Sequence, residues 1–460
     1  MSQAIQQATP GFTPKRLVAV AAAFIAVAAT AVVLARLVRM AAAHWGVTID
    51  CPGTWPLSMF TLKFPGAGAS LPSLCFSVAI LLVFVILVTR FLEQITASRT
   101  AVATLGLLLV LSTNLIHGPD YGLVHPQRGD QLQYYADAQR VTNGGEFLRQ
   151  FNTIQADLGC HARTHPPGAV LFFYALTRTL GSAAAVSLAI AILSVATSAI
   201  CLYGVLSYEF DRRLCGYVTL LFLLIPSIQI YYCATLDAVV ASCFLVVLLF
   251  ARHPKTLPCI AGTSMGLFCA SMLSFGASFL APLLLGFEII TRRSVRRSVA
   301  ALSVVAALYG LLYLGAGFNY LHAFRTASAL ENPGGFFLLS DPASYVTTRL
   351  ENVADILWFF GPFLLMLSLG GMRIMIRTRV YPKLAALTAL AVAILATMFL
   401  SGAFRTGETA RACLFIYPYL MFPVAACLQQ QESSPTDRKV LLGLVFGQTL
   451  AMQTFGGYFW

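Results

Sequence analysis

The feature that most constrains this chain is a series of long apolar runs, each near the length of a membrane-spanning helix. They lie near 17–38, 71–90, 100–117, 181–206, 214–233, 238–252, 257–273, 276–291, 298–317, 354–372, 383–401, 411–428 and 438–457. The stretch "SMLSFGASF" interrupts 257–291, so these two runs could also be one broken segment. Because backbone polar groups must be paired within the bilayer, such runs have to be helical. The sequence therefore predicts an all-α polytopic membrane protein with about 12–13 transmembrane helices.

The composition agrees with a single transmembrane domain over residues 1–460. Hydrophobic residues make up 58% and charged residues 10% of the chain, whereas soluble domains carry about 25% charged residues. The net charge of +12 comes mostly from bases that flank apolar runs, as the positive-inside rule expects. No basic groove with interleaved aromatics is present, so nucleic acid is not an expected partner. Cys51 and Cys160 lie in polar loops and could form a disulfide, which their spacing does not support.

The charges also predict an orientation. With the N-terminus inside, 18 of the 30 Lys and Arg residues lie in or beside short inside loops, and 12 of the 18 acids lie outside. Two long external loops then span 118–180 and 318–353. A transporter would instead hold its charges near the middle of the membrane. Polar and charged residues gathered at the outer face of the membrane are typical of an outward-facing enzyme. The composition fits a bacterial inner membrane, with the active site facing the periplasm or exterior.

The first external loop contains two amphipathic pieces. The first, "DQLQYYADAQRVTNGGEFLRQF", has apolar residues at helical spacing and a helix-stop pattern at Asn143-Gly144-Gly145. The second, "GAVLFFYALTRTLG", is opened by Pro166-Pro167 and closed by Gly181. It is too short to span the bilayer and rich in aromatics, which predicts an interfacial helix.

These stretches resemble a known family. "GDQLQYYADAQR", followed after some thirty residues by "HPPGAVLFFYALTRTLG", is similar to the first external loop of GT-C membrane glycosyltransferases. The resemblance continues in order with "AAAVSLAIAILSVATSAICLYGVLSYEFDRRLCGY", "LLFLLIPSIQIYYCATLDAVVA" and "GETARACLFIYPYL", and covers roughly 100–290 well. Two features depart from it. The acidic pair is Asp130-Gln131 rather than Asp-Glu, and two spans precede the span of the loop.

The resemblance implies a GT-C-like helical bundle with interfacial helices in the first large external loop. It also implies transfer of a sugar, with inversion, from a polyprenyl-phosphate donor, as in the protein mannosyltransferase and lipid A aminoarabinose transferase types. The implied partners are the lipid-linked donor, a glycan, lipid or protein acceptor, and membrane lipid. Some members of this superfamily use a divalent metal ion and others do not, so no cofactor is required and a divalent metal stays an option.

The implied chemistry needs a carboxylate that takes the proton from the acceptor hydroxyl. Asp130 is the first candidate for this general base, and it could equally cap the helix that follows it. Asp120 in "HGPDYG" is the second candidate, although a turn role suits it better. Asp137 and Asp157 read as solvated helix and loop charges.

The leaving phosphate needs cationic or hydrogen-bonding partners. His165 in "THPPG" could contact the donor phosphate or acceptor, or serve only as a structural tie, and Arg163 nearby could steer phosphate. Arg405, Glu408 and Arg411 surround the start of a late span. A cation in the first helical turn, as Arg411 would be, opposes the helix dipole. Glu408 or a bound phosphate must therefore hold it.

Other residues are secondary candidates. Arg349 in "SYVTTRLENVADILW" and Arg325 are alternative phosphate ligands. Asp237 could belong to the site or cap its span. Tyr134 and Tyr135 fit interfacial aromatics better than sugar-stacking platforms.

Two other function classes stay open. A transporter or flippase of lipid-linked sugars would share the apolar groove and the arginines, but its spans would carry charges, and here Glu288 alone lies near the end of one. Another lipid-modifying membrane transferase would need a nucleophile or a metal cluster. The sequence presents no such motif.

Overall fold

The computed structural model describes residues 14–46, 55–56, 60–62, 70–128, 134–404, 408–431 and 434–458. Its helices, in chain order, are α1 Pro14–His44, α2 Leu71–Ala97, α3 Arg99–Asn114, α4 His125–Arg128, α5 Tyr134–Arg140, α6 Gly144–Ile154, α7 Pro167–Leu180, α8 Ala183–Leu206, α9 Arg212–Leu223, α10 Pro226–Tyr231, α11 Leu236–Ala251, α12 Thr256–Leu273, α13 Leu280–Arg292, α14 Arg296–Ala316, α15 Tyr320–Glu331, α16 Phe337–Ser340, α17 Pro342–Phe360, α18 Pro362–Thr378, α19 Pro382–Leu400, α20 Thr409–Ala412, α21 Tyr417–Gln430 and α22 Pro435–Phe455. Strands β1 Phe60–Leu62 and β2 Gly456–Tyr458 form one short antiparallel pair. The chain is thus an all-α polytopic membrane protein, as predicted.

Each predicted span falls on helix, but the spans differ in length. Seven helices in the described part of the chain are long and apolar enough to cross a membrane, or eight if the bent pair α17–α18 counts as one. The remaining predicted spans coincide with helices that are shorter, broken or less apolar. The stretch 257–291 forms two helices, because α12 ends at Leu273 and a 3₁₀ turn, Phe275–Phe279, precedes α13. The predicted run 354–372 is not one straight helix, since α17 and α18 meet at Gly361 with a bend of 99°.

The chain divides into two compact units. Unit 1 contains 1–116, 206–230 and 337–459, and unit 2 contains 117–205 and 231–336.

A buried polar network holds the broken helix α9–α10 in unit 1. Pro226 lacks an N–H group, so the helix breaks before it and frees nearby carbonyls. The side-chain amide of Gln229 donates to the carbonyl of Leu223 at 2.5 Å, and the Thr449 hydroxyl donates to that of Leu224 at 2.6 Å. Asn114 donates to the Gln229 carbonyl at 2.7 Å. These bonds satisfy backbone groups that the membrane interior could not.

Close helix packing in unit 1 depends on a glycine. Helices α18 and α21 are neighbours, and a Cβ atom at Gly371 would overlap the carbonyl of Pro423. We expect Gly371→Ala to lower the free energy of unfolding by about 1–3 kcal/mol, because the helices must separate.

Gly443 offers a matched control on helix α22, where an added Cβ meets nothing within 4 Å. Gly443→Ala should raise stability by about 0.5–1 kcal/mol, because alanine is the better helix former. Thermal unfolding in detergent measures both variants. Equal effects of the two substitutions would contradict the packing argument.

Candidate functional site

In unit 1 the structure brings together a group of charged and amide side chains that we name the carboxylate–arginine cluster. Its members are Arg349, Glu351, Asn352, Asp355, Glu408 and Arg411. The first four lie on helix α17, within two turns, and the last two lie at the start of α20. The α17 members are all buried, with exposed fractions of 9% or less. Burying a charged side chain costs free energy unless it is paired, so this group of buried charged residues is a candidate functional site.

Arg349 anchors the segment before α20. Its guanidinium donates to the carbonyls of Phe399 and Phe404, the latter at 2.9 Å, and lies over the Tyr345 ring at 5.0 Å. The Asn352 amide donates to the Phe404 carbonyl at 3.0 Å. Arg349 is therefore held by backbone carbonyls, and its Nε atom has no hydrogen-bond partner among the described residues.

The start of α20 docks on α17 through backbone and side-chain bonds. The Ala410 N–H donates to Asp355 Oδ2 at 2.9 Å, and the Thr409 hydroxyl donates to the Asn352 carbonyl at 2.7 Å. Arg411 Nη2 pairs with Glu408 Oε2 at 2.5 Å. This pair confirms that Glu408 holds the cation that the sequence placed in the first turn. Glu408 itself has a left-handed backbone, with φ of 55°.

Glu351 is a buried carboxyl group that has no ion pair among the described residues. It is 4% exposed, and its Oε1 atom has no hydrogen-bond partner among the described residues. The carboxylates of Asp355 and Glu408 lie close enough to repel it. Asn352 Oδ1 is likewise buried without a partner. The cluster thus presents unused acceptors beside two guanidinium groups, a set able to bind hydroxyls and an anionic group together.

A second group of predicted residues lies in unit 2, around α5 and α7. The Tyr134 ring stacks on Phe173 with centroids 5.6 Å apart and meets the His165 ring edge-on at 5.3 Å. His165 Nδ1 lies 2.9 Å from the His161 carbonyl. Because a carbonyl only accepts, Nδ1 carries the proton, and the other nitrogen of the neutral ring is an acceptor. The structural-tie interpretation of His165 is thereby supported.

The other candidate residues in unit 2 differ in how deeply they are buried. Arg163 is half-buried, and its carbonyl accepts from Gln155 at 3.0 Å. Tyr135 is buried rather than exposed at a surface. Asp120 is exposed at the start of a π-helical turn, Asp120–Val124.

The proposed capping role of Asp237 is wrong. Thr235 caps α11, because its hydroxyl accepts from the Ala238 N–H, and Asp237 lies inside the first turn. A carboxylate in that turn still suits the helix dipole.

Asp137 is not the solvated charge that the sequence indicated. It is 3% exposed, and its Oδ2 accepts from the Gly159 N–H at 3.0 Å. Burial raises the pKa of this carboxyl, opposed by the Gly159 bond and by Arg140, whose Nη1 lies 3.6 Å from Oδ1. Asp137 lies three residues after the buried Tyr134 and therefore on the same helical face. That spacing was the feature of the sequence from which its burial could have been predicted.

Several predicted residues lie outside the described residues. Asp130 and Arg405 are among them, and so is Cys51 of the suggested disulfide. Within the described chain, no group of three or more His, Cys, Asp or Glu residues is placed to hold a metal ion.

Comparisons with known proteins give little further guidance. No protein-family model matches the sequence, and no curated protein matches it significantly. Among solved structures, the chain is similar to the Archaeoglobus fulgidus oligosaccharyltransferase, crystallised with Zn and sulfate. The identity is 14% and the TM-score 0.40, over 77% of this chain and 53% of the other, so this chain spans about half its length. That score does not establish a shared fold.

Proposed function

We propose that the protein is an integral-membrane glycosyltransferase of GT-C type. It moves a sugar, with inversion, from a polyprenyl-phosphate donor to an acceptor at the outer face of the membrane. The observation that carries the proposal is the buried carboxylate–arginine cluster, whose guanidinium groups and unused acceptors suit a phosphate and sugar hydroxyls. The ordered series of GT-C-like stretches supports the same activity. Asp130 is the proposed general base on the sequence argument alone.

Within the cluster, the proposed roles follow from the contacts. Arg411 is positioned by Glu408, and its planar guanidinium suits an anion that binds through two oxygen atoms. Arg349 holds the end of α19 and the following residues to Phe404 in place through two carbonyls. A guanidinium group beside the leaving phosphate stabilises the charge that develops there.

A transporter or flippase of lipid-linked sugars is the second candidate, and one observation favours it. Helix α17 carries buried charges directly before the 99° bend at Gly361. Broken helices with charged residues beside the break are a feature of transporter binding sites.

One experiment separates the two candidates. The purified protein, in lipid, is incubated with a panel of polyprenyl-phosphate sugars and a mixture of glycan and lipid acceptors, and release of polyprenyl phosphate is followed. We expect turnover of one donor, since transfer must release the lipid phosphate. Saturable binding of a donor without release, together with its movement across a vesicle membrane, would contradict the transferase and establish the flippase.

A further inference from the structure

One end of unit 2 carries a dense group of bases that the proposed function does not use. Two short connections meet there, between α11 and α12 and between α13 and α14. Together they hold six cationic residues, which we name the basic collar: Arg252, Lys255, Arg292, Arg293, Arg296 and Arg297. Since four helix ends converge at one point, the collar forms a local positive surface.

The two connections are fastened to each other. Arg297 donates to the carbonyls of His253 and Pro254 at 3.2 and 3.0 Å, and Arg292 donates to that of His253 at 3.4 Å. The acid nearby, Glu288, is 5% exposed and accepts from the Arg297 and Ser298 N–H groups. Its charge is directed at the start of α14 and also attracts Arg292, so the collar of six cations faces one nearby carboxylate and keeps an excess of positive charge.

A small cleft of about 20 Å³, enough for a water molecule, lies between these connections. Arg292, Arg297, Thr291 and the carboxyl group of Glu288 line it, together with the apolar side chains of Leu284 and Phe287. A further lining residue, Thr263, is 3% exposed, and its hydroxyl has no hydrogen-bond partner among the described residues. The cleft therefore combines two arginines, one carboxylate, a hydroxyl without a described partner and an apolar wall.

The surface beside the collar is apolar. Leu257, Ile289, Ile290 and Val299 are 78%, 52%, 53% and 46% exposed. In a membrane protein such side chains face acyl chains, so charge and hydrocarbon contact meet at this edge.

We propose that the basic collar binds the phosphate of an anionic phospholipid of the phosphatidylglycerol class, with its acyl chains on the adjoining apolar surface. Arg293 and Arg296 are exposed and meet the headgroup at the surface, and Arg292, which also lines the cleft, is exposed beside them. Arginine suits this role because its planar fork binds phosphate oxygens in pairs. The proposal does not depend on the enzymatic activity.

The test titrates the detergent-purified protein with fluorescent phosphatidylglycerol and with phosphatidylcholine. We expect saturable binding of phosphatidylglycerol that is weakened about 30-fold in Arg293→Gln/Arg296→Gln, the effect of two surface bases. Neither side chain makes a hydrogen bond or an ion pair among the described residues, so the substitutions should leave the fold intact. The cleft variant Arg292→Gln should weaken binding in the same direction.

The control is Arg373→Gln/Arg377→Gln, which removes two exposed charges from helix α18 in unit 1. It should leave the affinity unchanged. Equal weakening by both pairs would show only general attraction to basic loops and overturn the proposal. Equal affinity for phosphatidylcholine would also overturn the proposal. Full displacement of the lipid by millimolar inorganic phosphate would overturn it as well, because the site would then bind phosphate without any contribution from the rest of the lipid.

Discussion

Replacing Asp130 with asparagine is expected to reduce sugar transfer by about 10²- to 10⁴-fold, the usual contribution of a general base. The amide keeps the size of the carboxylate but cannot accept the proton of an attacking hydroxyl. The donor should still bind, so the loss should fall on kcat rather than on KM. Polyprenyl-phosphate release and direct donor binding measure the two quantities separately.

The same substitution distinguishes catalysis from helix capping. Asparagine caps a helix about as well as aspartate, so Asp130→Asn removes the base while leaving a cap in place. A variant that transfers normally would leave Asp130 with a capping role at most. Asp120→Asn is the matched control, and it should stay active unless Asp120 is itself the base.

Helix ends were predictable from the sequence where local chemistry sets them. Helix α7 runs from Pro167 to Leu180 and ends at Gly181, which has φ of 73°, as the Pro-Pro and Gly pattern indicated. The Glu408–Arg411 pair was one of the two arrangements, the other being a bound phosphate, that the helix dipole indicated. In both cases the residues that determine the local structure lie within a few positions of it in the sequence.

Asn143-Gly144-Gly145 shows where local chemistry is ambiguous. The sequence indicated a helix stop, but α5 already ends at Arg140, and Asn143 instead caps the start of α6 by accepting from Gly145 and Glu146. Asparagine and glycine serve both ends of helices, so tertiary packing decides between them.

The carboxylate–arginine cluster could be predicted only in part. Arg349, Glu408 and Arg411 were identified singly, whereas Glu351 and Asp355 were not. Their spacing of four residues places them on one helical face, which was a usable signal. Their burial against the start of α20 depends on a contact more than fifty residues away, as between Asp355 and Ala410. No periodicity in the sequence reports such a contact.

Arg349→Met is expected to lower the free energy of unfolding by about 2–5 kcal/mol, because it leaves two buried carbonyls without their charged donor. Methionine fills much of the same volume, so the loss reports hydrogen bonding and charge more than a cavity. Arg349→Lys keeps the charge, but an ammonium group lacks the planar pair of N–H donors that binds the carbonyls of Phe399 and Phe404. An intermediate loss of stability is therefore expected. Thermal unfolding in detergent gives the ranking.

Arg325→Met is the matched control, since Arg325 is exposed on α15 and was the alternative phosphate ligand. It should change stability by less than about 0.5 kcal/mol. If Arg349→Met were as stable as Arg325→Met, the guanidinium could not be the anchor of the carbonyls of Phe399 and Phe404. If Arg349→Lys unfolded normally but bound donor more weakly, Arg349 would contact the phosphate as well as these carbonyls. Stability and donor binding, measured on the same three variants, therefore separate a structural arginine from a substrate-binding one.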